Sequence, residues 1–99
     1  MSTEEITVEA DRVANRLTAM PIAKIDEALI ERVRDAAQRI VDLTPDPSRP
    51  PNASMPRVGA SALGAQVAVA VRDYVEVRTA ASDDAAVAEI LTQLRRSLP

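Results

Sequence analysis

The side chains that carry most protein chemistry are missing from this chain. Its 99 residues include no histidine and no cysteine, and the only aromatic residue is Tyr74. Histidine is the commonest general base and metal ligand, and a cysteine thiolate is the usual tunable nucleophile. No imidazole can activate the serine and threonine hydroxyls, and Lys24 is the only lysine. We therefore expect a chain that is not an enzyme and that binds no cofactor.

Paired carboxylates are the nearest approach to a metal site. Glu27, Glu31 and Asp35 follow one another at four-residue spacing, and Asp83 and Asp84 are adjacent. A dinuclear centre in a helical bundle needs Glu-x-x-His motifs on facing helices, which this sequence lacks. An all-oxygen Mg²⁺ or Ca²⁺ site stays open as an alternative. Charge runs of this kind usually form solvated helix faces, so we expect no metal site.

The charge balance argues against nucleic acid as a partner. The formal net charge is −3 and the sequence pI is about 4.9. Arg32, Arg34 and Arg39 are matched by acidic residues nearby, so the helix that carries them is mixed rather than basic. A recognition helix needs an uncompensated basic surface. A nucleic-acid-binding regulator therefore stays an alternative that would require a dimer to assemble a basic patch.

Hydrophobic periodicity predicts four helices, at about residues 3–20, 26–43, 61–79 and 83–97. Ile6, Ala10, Val13 and Leu17 make the apolar stripe of the first helix, and Ser2 with Glu5 has capping-box spacing. Asp26 and Ser82 are the predicted N-caps of the second and fourth helices. The whole chain, residues 1–99, is predicted to form one all-α domain, a small antiparallel bundle of four helices, with a three-helix bundle as the alternative.

A proline-rich loop over residues 44–57 separates the second and third helices. It contains five prolines, at positions 45, 47, 50, 51 and 56, and each removes a backbone donor. Neither a helix nor a central strand is compatible with this spacing. Pro47 and Pro50 also fit a P-x-x-P recognition motif, although a stiff linker is the commoner role of such a segment.

The third segment is the richest in apolar residues. Alternating valines from Val67 to Val77 also suit a strand, but neighbouring alanines and the lack of a partner strand favour a helix. The predicted core face of that helix is Leu63, Val67, Ala70, Val71, Tyr74 and Val77. A second face carries Gln66, Val69, Asp73 and Glu76. So wide an apolar surface predicts either a central helix or an interface between chains.

The same segment carries a family resemblance. Residues 64–69 have the sequence Gly-Ala-Gln-Val-Ala-Val, and Asp73 follows four residues later. This pattern resembles small actinobacterial helical proteins that share a Gly-x-Gln-x-Ala-Val run and a later aspartate. Arg72 stands where that group has a histidine. The resemblance implies a candidate surface in this part of the chain and no known activity.

These observations predict a non-catalytic helical protein-interaction module. Its partner is either a second copy, giving a homodimer, or another protein, and the pathway is open. The candidate binding residues are Arg57, Gln66, Val69, Asp73 and Tyr74. An accessory subunit of a larger enzyme is a further alternative. The acidic, polar start of the chain lacks the features of a secretory signal, and the longest apolar stretch is too short to span a bilayer, so we expect a cytoplasmic protein that does not bind membranes.

Overall fold

The computed structural model describes residues 3–45, 55–56 and 58–99. Within these ranges the secondary structure consists of four α-helices and two short 3₁₀ turns, Ile22–Lys24 and Ala60–Ala62, with no strand. The α-helices are α1 (Thr3–Ala19), α2 (Glu27–Leu43), α3 (Leu63–Val77) and α4 (Asp84–Ser97). The predicted all-α bundle is confirmed, and the third segment is a helix rather than a strand.

Side-chain caps fix the starts of two helices. The Oδ1 atom of Asp26 accepts a hydrogen bond from the backbone N–H of Leu29 at 2.9 Å, which confirms Asp26 as the N-cap of α2. The predicted cap of the last helix is wrong by one residue. Asp83 caps α4 by accepting from the N–H of Ala86 at 3.0 Å. Ser82 instead accepts from the N–H of Thr79 and closes the turn before the helix. The predicted cap residue Ser2 lies outside the described residues.

The third helix is shorter than predicted at both ends. Residues 60–62 form a 3₁₀ turn, so the α-helix begins at Leu63 rather than at residue 61. It ends at Val77 because Arg78 has an extended backbone, with φ −61° and ψ 149°. Val77 was predicted to face the core, but it is 44% exposed. As the last residue of α3 it lies at the end of the bundle, where solvent reaches it.

Each helix packs against two of the other three. α1 and α2 both lie beside α3 and α4. Gly64, near the start of α3, contacts Ala14 and Thr18 near the end of α1, so these two helices are antiparallel. Arg32 of α2 donates to the carbonyl of Ser97 in α4, and these helices are antiparallel as well.

The other two neighbouring pairs run parallel. α1 and α4 are joined by an ion pair between Glu9 and Arg95 and by a hydrogen bond from Arg16 to the carbonyl of Pro99. Because α2 and α3 both run opposite to α1 and α4, they are parallel to each other. α3 therefore begins at the end of the bundle opposite to the one where α2 stops. The predicted antiparallel arrangement therefore holds for two of the four adjacent pairs. The connection between α2 and α3 therefore joins opposite ends of the bundle, and we call it the crossover connection.

A single aliphatic core joins the four helices. The largest side chains that are wholly buried come from every helix: Ile6, Val13, Val33, Ile40, Leu63, Val67, Tyr74, Val87 and Leu91. Burial of these side chains supplies the main favourable free energy of folding. No helix in the described part of the chain combines the length and the apolar character that crossing a bilayer requires.

Candidate functional site

A groove with a mainly apolar lining runs between α1 and α3. Its volume is about 380 Å³. Val69 lies at its edge and is 45% exposed. The lining residues are Thr7, Ala10 and Asp11 from α1, and Ala68, Val69, Val71, Arg72 and Val75 from α3. We call this feature the α1–α3 groove.

A close approach of the two helices holds the groove in place. At Gly64 an added Cβ would lie 2.7 Å from Oγ1 of Thr18 and 2.9 Å from the carbonyl oxygen of Ala14. Only a residue without a side chain fits between the backbones at that distance. The contact fixes α1 against α3 at one end, and the small side chains of Ala10 and Ala68 leave the groove open beyond it.

Two opposite charges border the α1–α3 groove. Asp11 lies on α1 and Arg72 on α3, and both side chains are exposed. Among the residues that the structure describes, neither forms a salt bridge or a side-chain hydrogen bond with another part of the chain. The groove therefore offers an apolar strip with a carboxylate on one helix and a guanidinium on the other, both available to an incoming partner.

The predicted interaction residues do not share one surface. Val69 lines the α1–α3 groove, and Asp73 is exposed beside Arg72 without lining it. The side chains of Gln66 and Tyr74 are only 7% and 0% exposed. The burial of Tyr74 agrees with its place on the predicted core face of the helix, and a binding role for either residue stays a prediction. They occupy the side of α3 that packs inward. The candidate residue Arg57 lies outside the described residues.

Gln66 holds the crossover connection instead of facing solvent. Its Nε2 atom donates to the carbonyl oxygen of Pro56 at 2.8 Å, and its buried Oε1 atom has no partner among the described residues. From α2, Arg34 donates to the carbonyl of Met55 at 3.0 Å, and Gln38 accepts from the Met55 N–H at 2.6 Å. Three side chains thus tie Met55 and Pro56 against α2 and α3.

Tyr74 belongs to a polar cluster that fastens α3 to α4. Its hydroxyl donates to Oδ1 of Asp84 at 2.5 Å, and Arg78 forms an ion pair with the same carboxylate at 2.6 Å. Burial, the hydrogen bond to Asp84 and the charge of Asp84 raise the pKa of Tyr74 to about 12. Hydrogen bonds from Arg78 and Tyr74 hold the pKa of Asp84 below its ordinary value. The cluster satisfies its own charges, so its role is structural.

A second groove, between α1 and α4, is larger and more polar, and part of its charge is paired within the chain. Its volume is about 480 Å³, and its lining includes Glu4, Glu5, Glu9 and Arg12. The carboxylate of Glu9 pairs with Arg12 at 3.4 Å and with Arg95. Over the ranges that the structure covers, no three acidic side chains are grouped closely enough to hold a metal ion.

Two of the three arginines on α2 donate to carbonyl groups elsewhere in the chain, and the third, Arg39, is exposed. Arg32 donates to the carbonyl of Ser97 at 2.8 Å. Arg34 pairs with Glu31 at 3.5 Å in addition to its bond to Met55. These contacts occupy donors of Arg32 and Arg34 that could otherwise meet a phosphate backbone.

Comparison with known proteins does not add a relative. No protein-family model, no curated protein and no solved structure matches this chain. The resemblance at residues 64–73 to small actinobacterial helical proteins therefore stays a prediction from the sequence.

Proposed function

We propose that this chain is a non-catalytic protein-interaction module of the cytoplasm, and that it binds its partner at the α1–α3 groove. The observation that carries the proposal is the exposed Val69 in a mainly apolar groove whose two bordering charges are unpaired within the described chain. Aliphatic surface of this kind gains free energy when a partner covers it. Complementary charges at its border would fix the partner's orientation.

The chemistry of the chain supports a binding role over a catalytic one. The α1–α3 groove contains one carboxylate and one guanidinium, and neither Asp11 nor Arg72 is adjacent to a nucleophile activated by a base. The hydroxyl of Tyr74, the only aromatic side chain, is committed to Asp84. A small bundle that offers rigid helices and an apolar groove suits the recognition of another helical surface.

Site-specific photo-crosslinking tests the proposed function. A photo-reactive amino acid is placed at position 69 in one variant and at position 77 in a control. Val77 is a matched control because it is the same residue type, lies on the same helix and is exposed to the same degree, at 44% against 45%. We expect an adduct of one defined mass at position 69 that is absent at position 77.

The adduct must also depend on the charges at the groove. Adding Arg72→Asp to the position 69 variant should reduce its yield, because the guanidinium is part of the recognition surface. Equal adducts at positions 69 and 77, or no adduct at either position, would contradict the proposal that the α1–α3 groove is the binding site.

A further inference from the structure

We infer that the partner in the α1–α3 groove is a second copy of this chain, related by a two-fold axis that runs along the groove. This inference rests on the proposed function and names the partner of the same site. The charges at the border carry it. Asp11 and Arg72 lie on opposite sides of one apolar strip, and each lacks an ion-pair partner within the described residues. A surface with this pattern is complementary to itself.

Asp11 and Arg72 lie at nearly the same level along the helix axes, which is close enough for them to meet in such a dimer. Near the start of α3, Gly64 lies against Ala14 and Thr18 of α1, and the two helices run in opposite directions. Counting along both helices from that contact places Asp11 within about one turn, 5.4 Å, of the level of Arg72. The long, flexible arginine side chain spans such an offset.

A two-fold axis parallel to the groove brings opposite charges together. It lays α1 of each copy over α3 of the other, so Asp11 lies opposite Arg72 of the partner subunit. The symmetry repeats this pair, because in a two-fold interface each contact occurs twice. The two copies of Val69 and Val75 then cover one another's apolar strip.

The alternative axis, across the groove, brings like charges together. It lays α1 over α1 and α3 over α3, so Asp11 faces Asp11 of the partner subunit. Like charges at an interface are unfavourable and suppress that arrangement. The charge pattern therefore selects both the occupant and its orientation.

The size of the face sets the strength of the dimer. α1 has 17 residues and is about 25 Å long, and two helices side by side are about 20 Å wide. The contact is then on the order of 500 Å² per partner, at the low end of specific interfaces. We expect a reversible dimer whose population changes with protein concentration.

Charge-reversal variants test this arrangement directly. Asp11→Arg alone and Arg72→Asp alone each place like charges in both pairs, and each should weaken dimerisation at least tenfold (about 1.4 kcal/mol). An equimolar mixture of the two variants restores opposite charges in both pairs. We expect the mixture to form a heterodimer within about threefold of the wild-type affinity. Light scattering and sedimentation equilibrium measure the masses, and circular dichroism checks that both variants are folded.

The outcomes separate this inference from the proposed function. Wild-type protein that stays monomeric, or single variants that dimerise as the wild type does, would overturn the two-fold pairing. A position 69 adduct whose mass is that of a different protein would also overturn it, while leaving the α1–α3 groove as the binding site. Monomeric protein together with equal adducts at positions 69 and 77 would overturn both. Recovery of the dimer only in the mixture supports the inference, because a folding defect would persist in the mixture.

Discussion

At the scale of single residues, Tyr74 shows how a polar group inside an aliphatic core is satisfied. The ring is wholly buried and its hydroxyl lies 2.5 Å from the carboxylate of Asp84. A buried tyrosine hydroxyl without a partner would be costly, and Arg78 neutralises the charge of the acceptor. The side chain therefore stabilises the junction of α3 and α4.

The titration of Tyr74 tests this account without interference, because the chain has no other aromatic residue. Folding raises the pKa of Tyr74 from 10.0 to about 12. Between these two pH values the hydroxyl stays protonated in the folded protein but is ionised in the unfolded chain. The contribution of the protonated Tyr74 hydroxyl to the stability of the folded state is complete below about pH 10 and is lost as the pH rises from about 10 toward 12. We expect the tyrosinate absorbance of the folded protein to appear with a midpoint near 12. A midpoint near 10 would contradict the buried hydrogen bond, and Tyr74→Phe serves as the blank.

Local and distant interactions differ in how far the sequence predicts them. The sequence predicts Asp26 as a helix cap, and the structure confirms it, with the N–H of Leu29, only three residues away, as its partner. The pairing of Tyr74 with Asp84 spans ten residues and depends on how the chain turns between α3 and α4. The spacing of polar residues alone does not predict the path of that turn, so the sequence analysis did not identify Asp84 as the partner of the Tyr74 hydroxyl.

At the scale of the helices, the α1–α3 contact decides whether the groove exists. Gly64 permits the two backbones to approach at one end, and the groove continues along the same pair of helices. Periodicity predicted the positions of the helices well, since each one must bury an apolar stripe. It did not predict their directions, because the crossover connection that makes α2 and α3 parallel leaves no periodic signal.

Replacing Gly64 tests the close approach. Gly64→Ala places a Cβ 2.9 Å from the backbone of Ala14, so we expect a loss of about 1–3 kcal/mol in the free energy of unfolding, measured by urea denaturation. The higher helix propensity of alanine, about 1 kcal/mol, opposes this loss.

Gly59→Ala is the matched control for that substitution. An added Cβ at Gly59 meets nothing within 4 Å, and its φ of −72° suits alanine. We expect its stability to be unchanged or raised by up to about 1 kcal/mol. Equal stabilities of the two variants would show that α1 and α3 are not in tight contact at Gly64.

At the scale of the whole molecule, we propose that the exposed Val69 forms half of an interface. The four helices already bury one continuous core, and Val69 contributes nothing to it at 45% exposure. The sequence indicated a helix with more apolar surface than a peripheral helix needs, and it named Val69 as a candidate binding residue, which the structure shows to be exposed. Arg72 and Asp11 were missed as candidates, because their positions on the two sides of one groove follow from the packing of α1 on α3.

The most direct measurement is the native mass in solution by light scattering across a dilution series, for the wild type, Val69→Glu and Val77→Glu. We expect the wild-type mass to rise from 10.6 kDa toward twice that value with concentration. Val77→Glu should behave in the same way, and Val69→Glu should stay near 10.6 kDa because a charge is buried in the interface. A wild-type mass of 10.6 kDa at every concentration, or an equal effect of the two substitutions, would contradict association through the α1–α3 groove.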